Sequence, residues 1–251
     1  MVSSHAPRDG VQSLARALDL LEIVQRAGGH LPIGEIAAGS GIPLPTTHRL
    51  LATLVAHGYM RRLPNRRYAL GFKLVPLGST AASLVGLSAE AVLRELVDEL
   101  GESANLAVLS GKSAEYVAQA PSTHSMRMFT EVGRTVDLHC TGVGKAMLAL
   151  LPAEKLEAYL SSSELPPRTA HTIVDPLRLR DAIAEVRRVG YALDEQEQEL
   201  GVRCIAVATA TPAPMAVSIS GPVTRVTDDI VARAAPLLEA ALVRLTRSLA
   251  E

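Results

Sequence analysis

The sequence predicts an α+β fold in two domains: a small helical domain that ends in a β-hairpin, and a larger domain of mixed strands and helices. The chain has 251 residues, more than one average domain. From about residue 104 the apolar pattern changes to short runs separated by Gly, Ser and Pro. We therefore expect an N-terminal domain over residues 1–78, a linker helix that opens the second domain over 79–100, and a C-terminal domain over 101–251.

Residues 31–70 contain two predicted helices joined by a tight turn. The first covers about residues 33–38 and is broken by Gly39-Ser40-Gly41. The second begins near Pro45, carries apolar residues at helical spacing, and ends before Gly58. An earlier helix over residues 11–27 is expected to pack on both through an apolar stripe formed by Leu14, Leu18, Leu21 and Val24.

A basic hairpin follows the second helix. Residues 59–63 and 67–70 flank Pro64-Asn65-Arg66, which indicates a loop of about three residues. A helix pair followed by such a hairpin is a winged helix-turn-helix, and the motif indicates DNA binding. The candidate DNA-contacting residues lie on the second helix, on the hairpin and on the first helix of the domain: Thr46, Thr47, His48, Arg49, Arg61, Arg62, Arg66, Arg67 and Arg16.

The charge distribution favours DNA binding by the first domain only. The net charge of −1 conceals nine Lys/Arg against four Asp/Glu in residues 1–80, and residues 36–89 contain no acid. A basic domain joined to an acidic one is typical of phosphate binding by one part of a chain. Chance clustering on a solvated face is the alternative.

Between the domains, residues 71–87 are low in charge. Pro76 and Gly78 are expected to interrupt this linker, which we predict to be only partly helical, with the domain boundary near Ser79. In the second domain, strands are predicted at residues 105–109, 115–119, 126–129, 204–209 and 215–220. Helices are predicted at residues 142–151, 153–160, 175–190 and 227–249.

Composition excludes several classes of protein. The chain has no apolar run of about 18 residues and no hydrophobic signal core at its start, so we expect a cytoplasmic protein with no membrane partner. Two cysteines, Cys140 and Cys204, suit a reducing compartment and form no disulfide framework. Together with the scattered histidines they show no metal-ligand spacing, so no metal and no cofactor are expected.

A glycine-rich turn over residues 141–145 resembles part of a phosphate loop. His139 and Ala146 occupy the positions where that loop needs Gly and Ser or Thr, which argues against a nucleotide site. Backbone N–H groups at such a turn bind an anion, for example a carboxylate. A plain tight turn is the other interpretation.

Other polar residues leave alternatives open. Cys204 lies in an apolar strand, where a buried inert thiol is favoured over a nucleophile that would need His139 or His171 as its partner. Ser218 and Ser220 share one face of a strand, toward either solvent or a polar pocket. Residues 194–197 are expected to form a solvated acidic loop.

Seven separated motifs, in this order, resemble the IclR family of bacterial transcriptional regulators over about residues 11–250. They are VQSLARALDLLEIV, LPIGEIAAGSGIP, THRLLATLVAHGYM, YALGFKLVPLG, HCTGVGKAMLA, GYALDEQEQELGVRCIAV and SISGPVTRVTDD. The resemblance implies a winged helix-turn-helix, a linker helix and a GAF-like α/β effector-binding domain. It further implies homodimers or homotetramers that bind palindromic operators.

The resemblance also implies a site for a small organic acid. The positions that match the family's effector ligands are Gly142, Val143, Asp194, Cys204, Ser218 and Ser220. Both serines and the cysteine are retained, which favours a small, polar effector. Leu44 and Pro45 replace a basic residue and a serine that many relatives carry, and Asp137 replaces a common proline.

The predicted function is that of a DNA-binding regulator, a repressor controlled by a small carboxylate. The alternative from another class is an enzyme that acts on a small carboxylate through Cys204, with the first domain as an interaction module. A winged helix that binds protein instead of DNA is a second alternative.

Overall fold

The computed structural model describes residues 11–128, 130–211 and 213–248, without the side chains of residues 82, 83 and 85–88. By its internal contacts the chain divides into two units, Met1–Ala81 and Ala82–Glu251. Both units combine helices with antiparallel strands, which is the α+β arrangement that the sequence predicts. The first ten residues of the predicted N-terminal domain lie outside the described residues.

The described part of the first unit has the order of elements of a winged helix-turn-helix. Its strands form an antiparallel sheet in the order β1-β3-β2. The short strand β1 was not predicted, because three residues that end in a proline carry little strand signal. The elements are α1 (Gln12–Arg26), β1 (His30–Pro32), α2 (Ile33–Ser40), α3 (Leu44–Ala56), β2 (Met60–Arg62) and β3 (Arg67–Leu70).

Helix α1 buries only the second half of the predicted stripe, since Val24 is in the core and Leu21 packs against it. Leu20 and Val24 are fully buried against α2, α3 and the hairpin, whereas Leu14 and Leu18 are 60% and 51% exposed. Apolar residues on α1 form two overlapping stripes at helical spacing, and both fit an amphipathic helix. Only the packing partners decide which stripe faces the core.

The linker is a continuous helix, contrary to the prediction of an interrupted one. Helix α4 runs over Leu74–Leu100 and contains both Pro76 and Gly78. Pro76 lies in the first turn, where a backbone N–H has no partner within the helix, so the missing N–H costs nothing there. The division between the two units falls inside this helix, after Ala81.

The second unit is built on one antiparallel sheet with the strand order β6-β5-β4-β9-β8-β7. Helices α4 and α8 pack on one face, and α5, α6 and α7 pack on the other. The strands are β4 (Ser103–Ser110), β5 (Ser113–Ala120), β6 (Thr135–Asp137), β7 (Ala192–Glu195), β8 (Val202–Thr209) and β9 (Met215–Pro222). The helices are α5 (Gly142–Ala149), α6 (Ala153–Ser162), α7 (Pro176–Val189) and α8 (Asp228–Ser248).

One strand prediction and one loop prediction were wrong. Residues 126–128 form no strand, and residue 129 lies outside the described residues. The carbonyl of Met128 accepts a hydrogen bond from the Ser103 hydroxyl (2.8 Å) instead of joining a ladder. The acidic stretch at residues 194–197 is not a solvated loop either. It begins in β7, which pairs with β8, and two of its side chains are buried.

Helix α5 depends on glycine at its start. A Cβ on Gly144 would overlap the backbone of Leu138 and the Thr141 hydroxyl. Thr141 caps the helix, since its Oγ1 accepts from the Gly144 N–H (3.1 Å) and donates to the Asp137 carbonyl (2.7 Å). The first turn of α5 is therefore packed directly on the segment that precedes it.

We expect Gly144→Ala to lower the free energy of unfolding by about 1–3 kcal/mol, because the added methyl group has no space. Gly78→Ala serves as the control. That glycine lies inside α4 with nothing within 4 Å of an added Cβ, so the same change should stabilise by up to about 1 kcal/mol. Urea denaturation measures both values. Equal effects at the two positions would contradict the packing described for α5.

Candidate DNA-binding and effector sites

Helix α3 presents a polar surface at its start. His48 and Arg49 are exposed, and Thr46 is half-buried. Leu44 and Pro45 are exposed in the same first turn, so two apolar residues lie beside the polar ones at the N-terminal end of α3, its leading edge. No acid lies in that turn, where the helix dipole is positive. This end of α3 can meet a phosphate or the edge of a base.

Thr47 does not belong to that surface, so its assignment to DNA contact is corrected. Its side chain is fully buried, and its hydroxyl is within hydrogen-bonding distance of the carbonyls of Ile42 (3.2 Å) and Pro43 (3.3 Å). Position 47 faces the core because it lies one helical turn before the buried Leu51. The hydroxyl holds the turn that joins α2 to α3.

The hairpin divides its arginines among different surfaces. Arg61 and Arg62 lie on β2, where neighbouring side chains point to opposite faces. The Arg61 guanidinium lies 4.9 Å from the ring centroid of Phe72, and its Nε donates to the Leu70 carbonyl (3.3 Å). Arg66 is exposed in the turn with φ +63°.

Arg67 and Arg16 are less accessible than the other candidates. Arg67 is half-buried, and its Nε finds no partner among the residues that the structure describes. Arg16 is half-buried on α1. Arg49, Arg62 and Arg66 therefore offer the freest guanidinium groups of the predicted set.

In the second unit, the glycine turn touches the sheet. A Cβ on Gly142 would lie 3.0 Å from the Cys204 sulfur. Gly142 and Val143 open α5, and both are buried. The absence of a side chain at position 142 lets the start of the helix approach β8 closely, with its first N–H groups unused by the helix itself.

The predicted polar residues form a patch across three strands. Asp194 on β7 pairs with Cys204 on β8, and Cys204 pairs with Ser220 on β9. Ser218 lies two residues from Ser220, on the same face. Cross-strand partners point to one side of a sheet, so the four side chains and the Gly142 turn lie on one face.

The Ser218 hydroxyl is a buried polar group in need of a partner. Its side chain is fully buried, and Oγ makes no hydrogen bond of ordinary geometry to any described residue. Ser220 differs, because its Oγ accepts from the Asn105 amide (3.2 Å). Buried hydroxyls are seldom left without an ordinary hydrogen bond, so Ser218 has the capacity to bind a further polar atom.

The surroundings of Asp194 have opposing effects on the pKa of its carboxyl. Burial raises the pKa of its carboxyl to about 7, while hydrogen bonds from the Glu197 and Gln198 amides and the charge of Lys145 oppose this. Lys145 of α5 forms an ion pair with Glu197, and both side chains are buried. The patch thus contains a carboxyl that changes charge near neutral pH.

Cys204 is a poor nucleophile in this setting. Burial raises the pKa of its thiol to about 12, although the Ser218 hydroxyl and the Gly142 backbone oppose this effect. Of its two candidate partners, His171 is exposed, and a ring nitrogen of His139 is bound to the Pro166 carbonyl at 3.0 Å. A neutral thiol donates or accepts a weak hydrogen bond and does not attack a carbonyl.

Comparison with known proteins decides the family. The helix-turn-helix domain of IclR proteins matches residues 13–64, and the C-terminal domain of bacterial IclR transcriptional regulators matches residues 83–245. The chain belongs to the IclR family. It is a DNA-binding transcriptional regulator with a winged helix-turn-helix and a GAF-like second domain.

Individual IclR proteins resemble it over most of their length. The transcriptional repressor IclR of Escherichia coli K12 and the acetate operon repressor of Salmonella typhimurium are each 38% identical to it. The alignments span 235 residues, 90% of this chain and 86% of each relative. The crystal structure of Thermotoga maritima IclR is 27% identical, with a TM-score of 0.64, and the match covers 95% of this chain and 99% of that one.

The IclR motifs did not reveal every residue at the patch. Asn105 is the cross-strand partner of Ser218 and is almost fully buried. Tyr116 lies near Cys204 and Asp194, and burial, with a smaller contribution from Asp194, raises the pKa of its phenol. Glu197 was predicted to be solvated. An asparagine within an apolar strand was the available signal for Asn105, while Tyr116 and Glu197 gave none.

Among the described residues, no helix has the length and apolar character needed to cross a membrane. This agrees with the lack of a long apolar run in the sequence.

Asp194→Asn is expected to remove a pH dependence of stability. The pKa of this carboxyl is about 7 in the folded chain, against an ordinary value of 3.8. Between these values the folded state holds a proton that the unfolded state has released. The free energy of unfolding therefore falls as pH rises through this window, and the contribution of the neutral carboxyl is lost above pH about 7.

The variant keeps a side-chain oxygen that accepts hydrogen bonds but carries no charge. We expect it to gain roughly 2–3 kcal/mol relative to the native chain between about pH 5 and pH 8. Urea denaturation at both pH values measures this difference. Asp181→Asn, at an exposed position of α7, is the control, and parallel pH curves for all three proteins would refute the assignment.

Proposed function

We propose that this IclR-family protein is a cytoplasmic repressor that binds a palindromic operator as a homodimer or homotetramer and responds to a small organic acid. The observation that carries the DNA-binding part is the exposed polar start of α3, next to a hairpin of arginines, in a stretch without acids. Repression is inferred from the two relatives at 38% identity, both of which are repressors.

In the proposed complex, α3 lies in the major groove. Arg49 and His48 reach base edges, and Thr46 reaches a phosphate at the helix start. Arg62 and Arg66 bind phosphates or the adjacent minor groove from the hairpin, while Arg61 supports it through Phe72. Because Leu44 and Pro45 add no charge at the leading edge, Arg49 and the hairpin carry most of the electrostatic attraction.

The proposed effector site is the polar patch of the second domain. The N–H groups of Gly142 and Val143, at the positive end of α5, bind the carboxylate of the effector. Ser218 and Ser220 donate to its oxygens, and Cys204 and Asp194 line the same face. Small, polar groups at all these positions support a compact acid of the size of glyoxylate or pyruvate.

Catalysis through Cys204 is the less supported function. A nucleophilic cysteine needs a thiolate, and burial holds this thiol in its neutral form. We propose that the effector is bound and released unchanged, with no metal or other cofactor needed for that step. Turnover of a small carboxylate that disappears in Cys204→Ser would support the enzyme instead.

Arginine variants test the DNA-binding proposal. Arg49→Ala should reduce the preference for operator over unrelated DNA by about 10- to 100-fold, because it removes a base contact. Arg66→Ala should weaken binding to both DNAs alike and lower the salt slope by about one ion, because it removes a phosphate contact. Fluorescence anisotropy at several salt concentrations measures these quantities.

Arg26→Ala is the matched control, since Arg26 is an exposed arginine of the same domain outside the proposed surface. It should leave the operator preference and the salt slope unchanged. An Arg66→Ala protein with the salt slope of the native chain would remove that residue from the interface. A native chain with no salt-dependent DNA affinity would favour a protein-binding winged helix.

Footprinting on the gene's own upstream region tests repression and its control together. We expect protection of two symmetric half-sites, altered by glyoxylate or pyruvate. Ser218→Ala should weaken the response to the acid by about 5- to 30-fold, the value of one buried hydrogen bond. Ser161→Ala on α6 is the control, because its hydroxyl bonds only to helix carbonyls. Thermal stabilisation by aromatic or long-chain acids alone would contradict a small effector.

A further inference from the structure

The segment between β6 and α5 brings three metal-binding side chains together. Asp137, His139 and Cys140 each offer one ligand atom, and these atoms all lie within 4.8 Å of one another. Their separation in sequence is too short for a zinc-finger pattern, which is why the spacing of cysteines and histidines indicated no metal. A strand end followed by a bend turns all three toward one point.

Each of the three has a partner that suits a metal ligand. A ring nitrogen of His139, Nε2, lies 3.0 Å from the Pro166 carbonyl, which only accepts hydrogen bonds. Nε2 therefore carries the proton, and the neutral imidazole keeps its lone pair on Nδ1. Metal-binding histidines commonly donate their second nitrogen to a backbone carbonyl in this way.

The Asp137 carboxylate is arranged in the same manner. Arg168 donates to one oxygen, Oδ2, from both Nε (2.8 Å) and Nη2 (2.5 Å). This leaves Oδ1 for a second interaction, and the guanidinium orients the carboxylate as an outer partner orients a metal ligand. Asp137 is half-buried at the edge of a polar pocket of about 310 Å³, through which a hydrated ion can enter.

A fourth oxygen completes the set. The Cys140 thiol donates to Oε1 of Gln198 at 3.0 Å, and Gln198 lines the same pocket. Loss of the thiol proton would free that oxygen and create a thiolate beside it. One nitrogen, one sulfur and two oxygens form a donor set of the kind that Zn²⁺ takes in tetrahedral geometry.

We propose that Asp137, His139 and Cys140 bind one Zn²⁺ ion, with the Gln198 side chain or a water in the fourth position. Tetrahedral ligand atoms lie about 3.5 Å apart, so the side chains close by about 1 Å around the ion. Binding releases the Cys140 proton to solvent, and the thiolate and carboxylate together neutralise the two charges of the ion.

The position of this site gives it a consequence for the second domain. Cys140 precedes Gly142 by two residues, and Gln198 follows Asp194 in the loop after β7. When Gln198 is the fourth ligand, a bound Zn²⁺ ion links the segment that starts α5 to the segment that carries Asp194. The proposal depends only on these side chains and stands apart from the DNA and effector assignments.

Titration of the chelator-treated full-length chain with Co²⁺ and then Zn²⁺ tests the site. We expect one Co²⁺ per chain, with a thiolate-to-cobalt charge-transfer band that Zn²⁺ abolishes. Cys140→Ser should lose the band, and Asp137→Asn should weaken Zn²⁺ binding by about 10- to 100-fold. Cys204→Ser and His171→Gln are controls, which keep the native band because neither residue belongs to the cluster.

Asp137 lies at the surface of the domain, so its variant should fold, as circular dichroism would verify. No charge-transfer band in the native chain would overturn the proposal. A band that persists in Cys140→Ser and vanishes in Cys204→Ser would overturn it too, because the thiolate would then belong to the effector patch.

Discussion

The close approach of α5 to the sheet is the constraint on which the second domain depends. Two glycines make it possible: Gly144 lies against the backbone of Leu138, and Gly142 lies against the Cys204 sulfur. Because of this approach, Lys145 is carried into the interior, where its charge needs a partner and finds Glu197. A buried ion pair of this kind costs about 3–5 kcal/mol when one partner is removed, so helix and loop are held together.

The same packing creates the chemistry of the patch. A helix start, a neutral thiol, two hydroxyls and a carboxyl with a pKa of about 7 share one desolvated face. In such surroundings each hydrogen bond to an anionic ligand is stronger than in water, and each unpaired group is more costly. The Ser218 hydroxyl has such a cost, because it faces the weakly polar Cys204 thiol and makes no ordinary hydrogen bond to a described residue. The Asp137, His139 and Cys140 cluster lies in the segment directly before α5.

The first domain follows a simpler rule. Its core is small, and Thr47 is buried in it. The Thr47 hydroxyl bonds to the turn between α2 and α3 and is not available to DNA. What remains outside is a set of side chains that reach solvent: His48, Arg49, Arg62 and Arg66. The absence of acids over residues 36–89 removes repulsion of phosphates from the surface formed by α3 and the hairpin. Burial decides which residues are available, and charge decides what they attract.

The sequence by itself determined the α+β class, the helix pair with its hairpin, the basic first domain and the family, because local periodicity and ordered motifs carry that information. Tertiary structure decided the rest. It chose between the two stripes of α1, buried Thr47, made the linker one helix through Pro76, and paired Asn105 with Ser218. These outcomes depend on contacts between residues far apart in the chain, which no local pattern records. Buried Glu197 is the clearest case, since only the arrival of Lys145 makes a carboxylate acceptable there.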